Sequence, residues 1–186
     1  MGRAAFQQKV VVITGGCAGI GRALALRFAQ AGAHLAILDI HDESLVAFRQ
    51  QLHDKLNADV LAINCDVSDD QACAEAMAQV VEHFGGIDLL INNAGVVPTQ
   101  QDFTKDGYEM QFGVNYLAPV LFTHLMLPLL QKGTQPRILH LASVAHWLGR
   151  INKKTWKGRK PYLVMDAYGQ SKLANILFSN VLAERL

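Results

Sequence analysis

Five short apolar runs, almost free of charge, punctuate the chain: Val10–Thr14, Leu35–Asp39, Val60–Asn64, Leu89–Asn92 and Ile138–Ala142. Each is rich in Val, Ile or Leu along its length instead of alternating, the pattern of a strand buried on both faces. Longer stretches of helical period separate them, near Ile20–Ala31, Glu43–Asn57, Gln71–Phe84 and Asp106–Gln131, and a last helix begins near Asp166. Strand and helix in alternation prescribe an α/β, doubly wound parallel sheet with helices on both faces. The 186 residues are read as one domain, with no internal repeat, low-complexity stretch or linker.

Composition narrows the function classes. Apolar residues make up 51% of the chain and the formal net charge is +1, so bulk charge gives no sign of a nucleic-acid partner. Cys17, Cys65 and Cys73 are odd in number and lack C-x-x-C spacing, which points to small buried hydrophobes in a reducing, cytoplasmic setting, with no metal site. The MGRAAFQQK start carries no apolar leader, and the apolar stretch Leu117–Leu130 is interrupted by Pro119, His124 and Pro128 and is short for a bilayer. No integral membrane segment is expected. One loop stands apart: Arg150, Lys153, Lys154, Lys157, Arg159 and Lys160 crowd together without an acid. It reads either as a solvated loop or as a surface for an acidic partner or lipid headgroups.

The first strand runs into Gly15, Gly16, Gly19 and Gly21 before a helix begins. Glycines at a strand-to-helix turn let the backbone approach a pyrophosphate, whose charge then faces the helix N-terminus. The spacing is T-G-x-x-x-G-x-G, starting at Thr14, and differs from the G-x-G-x-x-G fingerprint. Asp39 ends the second strand, twenty residues after Gly19, where a carboxylate can accept from ribose hydroxyls and would repel a 2′-phosphate. No Lys or Arg lies at 15–21 or 40–42, Arg22 being one step further, so NAD is favoured over NADP. Asp66 and Val67 end the third strand and Asn92-Asn93-Ala94-Gly95 the fourth. Polar groups at the carboxyl ends of parallel strands line the ligand crevice of a Rossmann-type sheet, although either site also suits a helix cap or an Asx turn.

Tyr168 and Lys172 are four residues apart, one turn of a helix. A phenol with a reference pKa of about 10 is a poor acid–base catalyst at neutral pH, and a nearby ammonium favours the phenolate. Ser143 closes the fifth strand at the crevice end, where its hydroxyl can hold a carbonyl oxygen. Asn115 falls inside a long helix, where asparagine usually has a backbone-bonding or functional reason. His140 reads as a packed or hydrogen-bonded strand residue, and His146 and Trp147 are candidates for a substrate-pocket wall.

The ordered set from Thr14 to Gly21 (with Ile20 between the last two glycines), Asp39, C-D-V at 65–67, N-N-A-G at 92–95, Asn115, Ser143 and Y-x-x-x-K at 168–172 resembles the short-chain dehydrogenase/reductase family along the whole chain. The resemblance implies strand order 3-2-1-4-5 and hydride transfer between NAD(H) and an alcohol or carbonyl substrate. Tyr168 would be the general acid/base, Ser143 would polarise the carbonyl, Lys172 would tune the tyrosine and hold the nicotinamide ribose, and Asn115 would anchor a relay water. Asp66, Val67, Asn93, Ala94 and Gly95 join the glycine turn as cofactor contacts. The segments from Ser143 and from Tyr168 resemble the retinol dehydrogenase-like branch, which implies a bulky apolar alcohol, and helices four and five imply a homodimer. Family members continue through further strands and a substrate-covering segment, so relative to them the chain is expected to be incomplete beyond Leu186, with an edge fifth strand, weak NAD binding and poor turnover. The alternative is a non-catalytic dinucleotide-binding or regulatory fragment, which needs only the glycine turn and Asp39.

Overall fold

The structure is a computed structural model that describes residues 6–133 and 135–186; the reading of the N-terminal stretch falls mostly on residues 1–5, outside the described residues. Five strands, β1 (Val10–Thr14), β2 (His34–Asp39), β3 (Val60–Asn64), β4 (Leu89–Asn92) and β5 (Arg137–His140), form one sheet in the order β3-β2-β1-β4-β5. Every neighbouring pair is parallel, and Val12 of β1 lies opposite Ala36 on one side and Leu90 on the other. Helices α1 (Gly19–Gln30), α2 (Asp42–Leu56), α3 (Asp70–Phe84), α4 (Met110–Leu130) and α5 (Val164–Ala183) supply the crossovers and cover. This is the Rossmann-type order expected.

All five residues of β1 are buried because both faces of the central strand are covered. Val10 and Val12 enter a core with Leu38, Leu90, Phe122 and Met126, under α3 and α4. Val11 and Ile13 enter a second core with Phe28, Leu35, Phe48 and Leu52, under α1 and α2. Each such side chain contributes roughly 1.5–3 kcal/mol by leaving water, which explains why the strands read as continuous apolar runs.

Several element boundaries differ from expectation, two of them for reasons visible in side-chain contacts. The helix expected from Asp106 begins at Met110, because Glu109 pairs with Phe103 in an isolated bridge and its carboxylate accepts from the Gln111 and Phe112 N–H groups, both at 2.9 Å. That helix is also irregular: Gly113–Leu117 forms a π-turn around Asn115. The fifth strand ends at His140, short of the expected Ala142. The Leu141 N–H still donates to the Asn92 carbonyl at 3.1 Å, but the Leu141 carbonyl turns to Lys172 and the ladder stops. At 21 residues α4 exceeds the apolar stretch read from sequence and is long and apolar enough to cross a membrane by length and composition; here Val114, Ala118, Phe122 and Met126 are buried in the core.

β5 lies at the sheet edge, and Leu139 is 47% exposed on it. The inward residue, His140, clamps the strand to both neighbouring helices. Its Nδ1 lies 3.0 Å from Ser179 Oγ of α5, and its Nε2 lies 3.2 Å from Thr123 Oγ1 of α4, which in turn accepts from Asn92 Nδ2 at 2.9 Å. Burial, and then the Lys172 charge, push the imidazole down to about 4. Below pH 6.5 an unfolded histidine takes a proton that the folded one refuses until about pH 4. Stability should therefore fall as pH drops through that window, by up to ~3 kcal/mol from this group. Chemical denaturation at stepped pH checks it, since His140→Gln should flatten the slope there; an unchanged slope would remove His140 as its source.

Candidate active site

The carboxyl ends of the strands border a cleft of about 660 Å³ that runs from Asp39 and Asp66, past Gly15 and Gly19, to Ala142, Tyr168 and Lys172. Both ends of the expected site, nucleotide and phenol, thus open on one space.

The nucleotide end begins at the β1–α1 turn. Ala18, the residue before α1, offers no side-chain cap, and the first turn of the helix holds no acid. Gly19 has φ +48°, a conformation that suits glycine, and a Cβ there would meet nothing within 4 Å. The uncapped N–H groups of α1 therefore border open cleft, and the helix dipole favours an anion at that point. This cradle fits a dinucleotide pyrophosphate. Ile20 also lines the cleft, half-exposed beside it.

Asp39 lines the cleft although it is 8% exposed. Its Oδ2 accepts from the Cys17 N–H at 2.9 Å and its Oδ1 from the His41 N–H at 3.3 Å, so two backbone donors aim the carboxylate. Arg22 is turned away: its guanidinium lies 3.9 Å from the Phe48 ring centroid and donates to Gln51 at 2.6 Å. Asp66 and Val67 line the same end. The Asp66 side chain also accepts from Ser68 N and Oγ, at 2.9 and 2.7 Å, so the Asx-turn reading and the cleft position hold together. All three cysteines are free and buried, and burial, with the Asp39 charge next, raises the Cys17 thiol to about 11.

Two residues read as cofactor-binding do not reach the cleft wall. Thr14 is buried behind it, where its Oγ1 accepts from the Asn93 and Ala94 N–H groups, both at 3.1 Å. Gly21 lies against the Gly15 carbonyl, and a Cβ there would also come within 2.5 Å of Asn93 Nδ2, so it serves the close approach of α1 to the turn. Asn93, Ala94 and Gly95 do line the cleft.

At the chemical end, α5 presents Tyr168, half-buried, and Lys172, buried, on the cleft wall. Lys172 Nζ donates to the Leu141 carbonyl at 2.9 Å and lies 5.6 Å from the Tyr168 ring centroid; burial lowers its pKa. Asn115 is wholly buried in the π-turn and off the wall. Its Oδ1 accepts from Val96 N at 2.7 Å, and its Nδ2 donates to the Val96 carbonyl at 2.9 Å and to Ser171 Oγ at 3.3 Å. A Cβ on Gly95 would lie 3.2 Å from Asn115 Oδ1 and 3.7 Å from Lys172 Nζ, so an acceptor and a donor flank the space this glycine leaves. Ser143 follows Ala142 but does not itself line the cleft; its Oγ accepts from Ala145 N at 3.2 Å and caps the 3₁₀ turn Val144–Leu148. His146 Nδ1 bonds the Ser143 carbonyl at 2.7 Å, and Trp147 is 81% exposed; neither lines this cleft, contrary to the sequence expectation. Lining residues that the motifs did not mark include Ile40, His41, Val96, Val97, Met110 and Val114. Only Val96 and Val97 carried a signal, as the residues that follow N-N-A-G at a strand end.

Comparison with known proteins agrees with this geometry. A profile of the family described as short chain dehydrogenase matches residues 9–186. Human retinol dehydrogenase 11 is 42% identical over 180 residues, covering 96% of this chain and 56% of the relative, and human retinol dehydrogenase 13 is 37% identical over 187 residues, covering 99% and 56%. The chain thus spans a little over half the length of these curated relatives. Among solved structures, L-sorbose reductase from Gluconobacter frateurii, complexed with NADPH and L-sorbose, has a TM-score of 0.80 at 26% identity, over 97% of this chain and 65% of that one. NAD+-bound xylitol dehydrogenase has a TM-score of 0.78 at 29% identity, over 97% and 66%. With the strand order, the cleft and the matched span in agreement, the chain belongs to the short-chain dehydrogenase family.

Proposed function

We propose that this chain carries the cofactor-binding and acid–base parts of an oxidoreductase that moves a hydride between NAD(H) and an alcohol or carbonyl compound. The observation that carries the reading is that Tyr168 and Lys172 share one cleft with the uncapped start of α1 and with Asp39. When bound, the nicotinamide supplies the hydride chemistry. The protein's part is to orient the reactants and to move a proton.

Tyr168 gives its phenolic proton to the oxygen of a carbonyl being reduced, or takes it from an alcohol being oxidised. Lys172, with two of its three donors left after Leu141, sets positive charge 5.6 Å from the centre of the ring on which phenolate charge develops. Ser143 holds the substrate oxygen next to Tyr168 once its hydroxyl leaves the turn it caps. Asn115 is a positioning residue: its amide holds both polar groups of Val96, and one lone pair of Oδ1 remains for a relay water in the space beside Gly95. A bulky apolar alcohol is the substrate class we propose, supported by the likeness to the retinol dehydrogenases and by Val96, Val97, Met110 and Val114 on the cleft wall.

NAD is the cofactor we propose over NADP. Asp39 places a carboxylate at the ribose end, and no Lys or Arg among the described residues lines that end to offset a 2′-phosphate.

Tyr168→Phe should lower kcat/KM by roughly 10²–10⁴-fold while NAD affinity, read by calorimetry, stays within twofold. Retained turnover would end the acid–base assignment; lost NAD affinity would make Tyr168 a binding residue. Asp39→Asn keeps an acceptor for Cys17 N–H and removes the charge. The NADP-to-NAD ratio of dissociation constants should then shrink about tenfold, the equivalent of ~1.4 kcal/mol, and an unaltered ratio would take Asp39 out of cofactor selection.

A further inference from the structure

Cys65 follows the last residue of β3, and Cys73 lies in the first turn of α3, which starts at Asp70. Both are free, and both pack with Val67 in the core under α3. Their thiols meet, each having the other as a hydrogen-bond partner. The Cys73 thiol has a second acceptor within reach, the Val67 carbonyl at 3.5 Å. Cys65 and Val67 line the cleft, at the end that holds Asp39 and Asp66. The third cysteine, Cys17, packs in the other core, across the sheet from this pair.

Burial alone makes a thiol inert. Here, however, the two thiols are unequal. The Cys73 thiol beside it lowers the pKa of Cys65, by more than burial and then the Asp66 and Asp69 charges raise it. Contact with Cys65, and then burial, hold the Cys73 thiol well above the usual thiol range. Cys65 is thus the sulfur that ionises, and it is the one on the cleft wall, where a small oxidant can reach it. We propose that Cys65 and Cys73 form a peroxide-sensitive dithiol site, whose disulfide loosens the nucleotide end of the cleft. The Cys65 thiolate attacks one oxygen of hydrogen peroxide: an S–O bond forms, the O–O bond breaks, and hydroxide leaves to take up the proton that the thiol gave up. The Cys73 thiol then attacks the Cys65 sulfur. The S–S bond forms, the S–O bond breaks, and the oxygen departs as water with the Cys73 proton. Two thiols lose two electrons, and one peroxide becomes two waters. Cys73 then has no hydrogen left for the Val67 carbonyl, and α3 is tied to the end of β3, so the wall that carries Val67 beside Asp66 leaves its reduced geometry. The dithiol site itself is independent of any cofactor; its effect on binding rests on the nucleotide reading proposed above.

Treatment of the full, reduced chain with hydrogen peroxide, followed by alkylation, digestion and mass spectrometry, tests the site. A peptide pair cross-linked through Cys65 and Cys73 is expected, with Cys17 alkylated, the chain monomeric and dithiothreitol reversing the bond. NAD affinity, read by calorimetry, should fall about tenfold on oxidation, the scale of one lost hydrogen bond, and return on reduction. Saturating NAD should in turn slow the cross-link, because the coupling is reciprocal. Cys73→Ser keeps a donor for the Val67 carbonyl, so its untreated NAD affinity should match that of the unaltered chain, and peroxide should no longer cause a loss that dithiothreitol restores. A bridge through Cys17 or between two chains, both thiols still open to alkylation after treatment, or unchanged NAD affinity in the bridged chain would overturn the proposal. So would a reversible loss that persists in Cys73→Ser. Should that variant fail to fold, the peptide map and the affinities of the unaltered chain still decide. A reduced chain that binds no NAD would sink the cofactor reading instead, and the peptide map alone would then decide the dithiol site.

Discussion

The Asn93 side chain ties the end of β4 to the end of β1, and the cleft hangs from that tie. Its Nδ2 donates to the carbonyls of Thr14 and Gly15 at 2.9 and 2.8 Å, while Thr14 Oγ1 accepts from the Asn93 and Ala94 N–H groups. Each bond contributes only about 0.5–1.5 kcal/mol net, but the four act on two loops that emerge side by side from the sheet. They hold the glycine turn, where an anion would sit, in one frame with Gly95, which adjoins Asn115 and Lys172. That crossing has no room for a further atom, which is why Gly21 lacks one. In the dinucleotide proposed above, the diphosphate lies between the adenosine and the reactive ring, so the spacing between these two loops is what the protein would have to keep constant.

The second half of the frame depends on an irregularity. In a regular helix each interior carbonyl is taken by the N–H four residues on. The π-turn at Gly113–Leu117 upsets that ladder, and the Asn115 carbonyl accepts from Asn175 Nδ2 of α5 at 2.7 Å. Ser171, one turn earlier on α5, meets the Asn115 amide from the other side. The loop after β4, helix α4 and helix α5 are therefore joined through one buried asparagine. Such turns carry a backbone cost and recur at functional sites; here the cost is offset by polar bonds that fix the helix carrying Tyr168 and Lys172.

How much of this could be read from the chain depended on whether the cause was local. Apolar runs are legible because burial on both faces of a parallel sheet acts on every residue of the strand, and β1, β3 and β4 appear at the expected residues. Strand-end residues were legible for a similar reason: topology alone sends Asp39, Asp66 and Asn93 to the same rim. What was not legible depended on contacts that no motif or periodicity records. Thr14 and Gly21 resemble ligand contacts on a linear motif; that they sit off the cleft wall comes from Asn93, seventy-nine residues from Thr14, and from the Gly15 carbonyl against Gly21. The start of α4 at Met110 is set by the carboxylate of Glu109 and its bridge to Phe103, against a helical period that continues upstream. The end of β5 is set by a lysine thirty-one residues on. Asn115 was suspected because asparagine fits a helix interior poorly, yet nothing in G-V-N-Y announces a π-turn.

Lys172 brings these strands of argument to a single atom. A lysine at 5% exposure is a costly residue for a purely structural post, because burial disfavours its charged form, and among the described residues its ammonium hydrogen-bonds to the Leu141 carbonyl. No other Lys or Arg among the described residues lines the cleft. The same charge adds to burial in keeping His140 neutral, so the interior beneath the cleft holds one cation instead of two. Its two remaining donors border the cleft and the space beside Gly95, where acceptors from outside the protein can reach them. An ammonium left under-bonded in this way gains more from an incoming hydroxyl or a developing phenolate than a solvated one would. In the chemistry proposed above, the cost of holding that charge in the folded chain is recovered when such an acceptor enters the cleft.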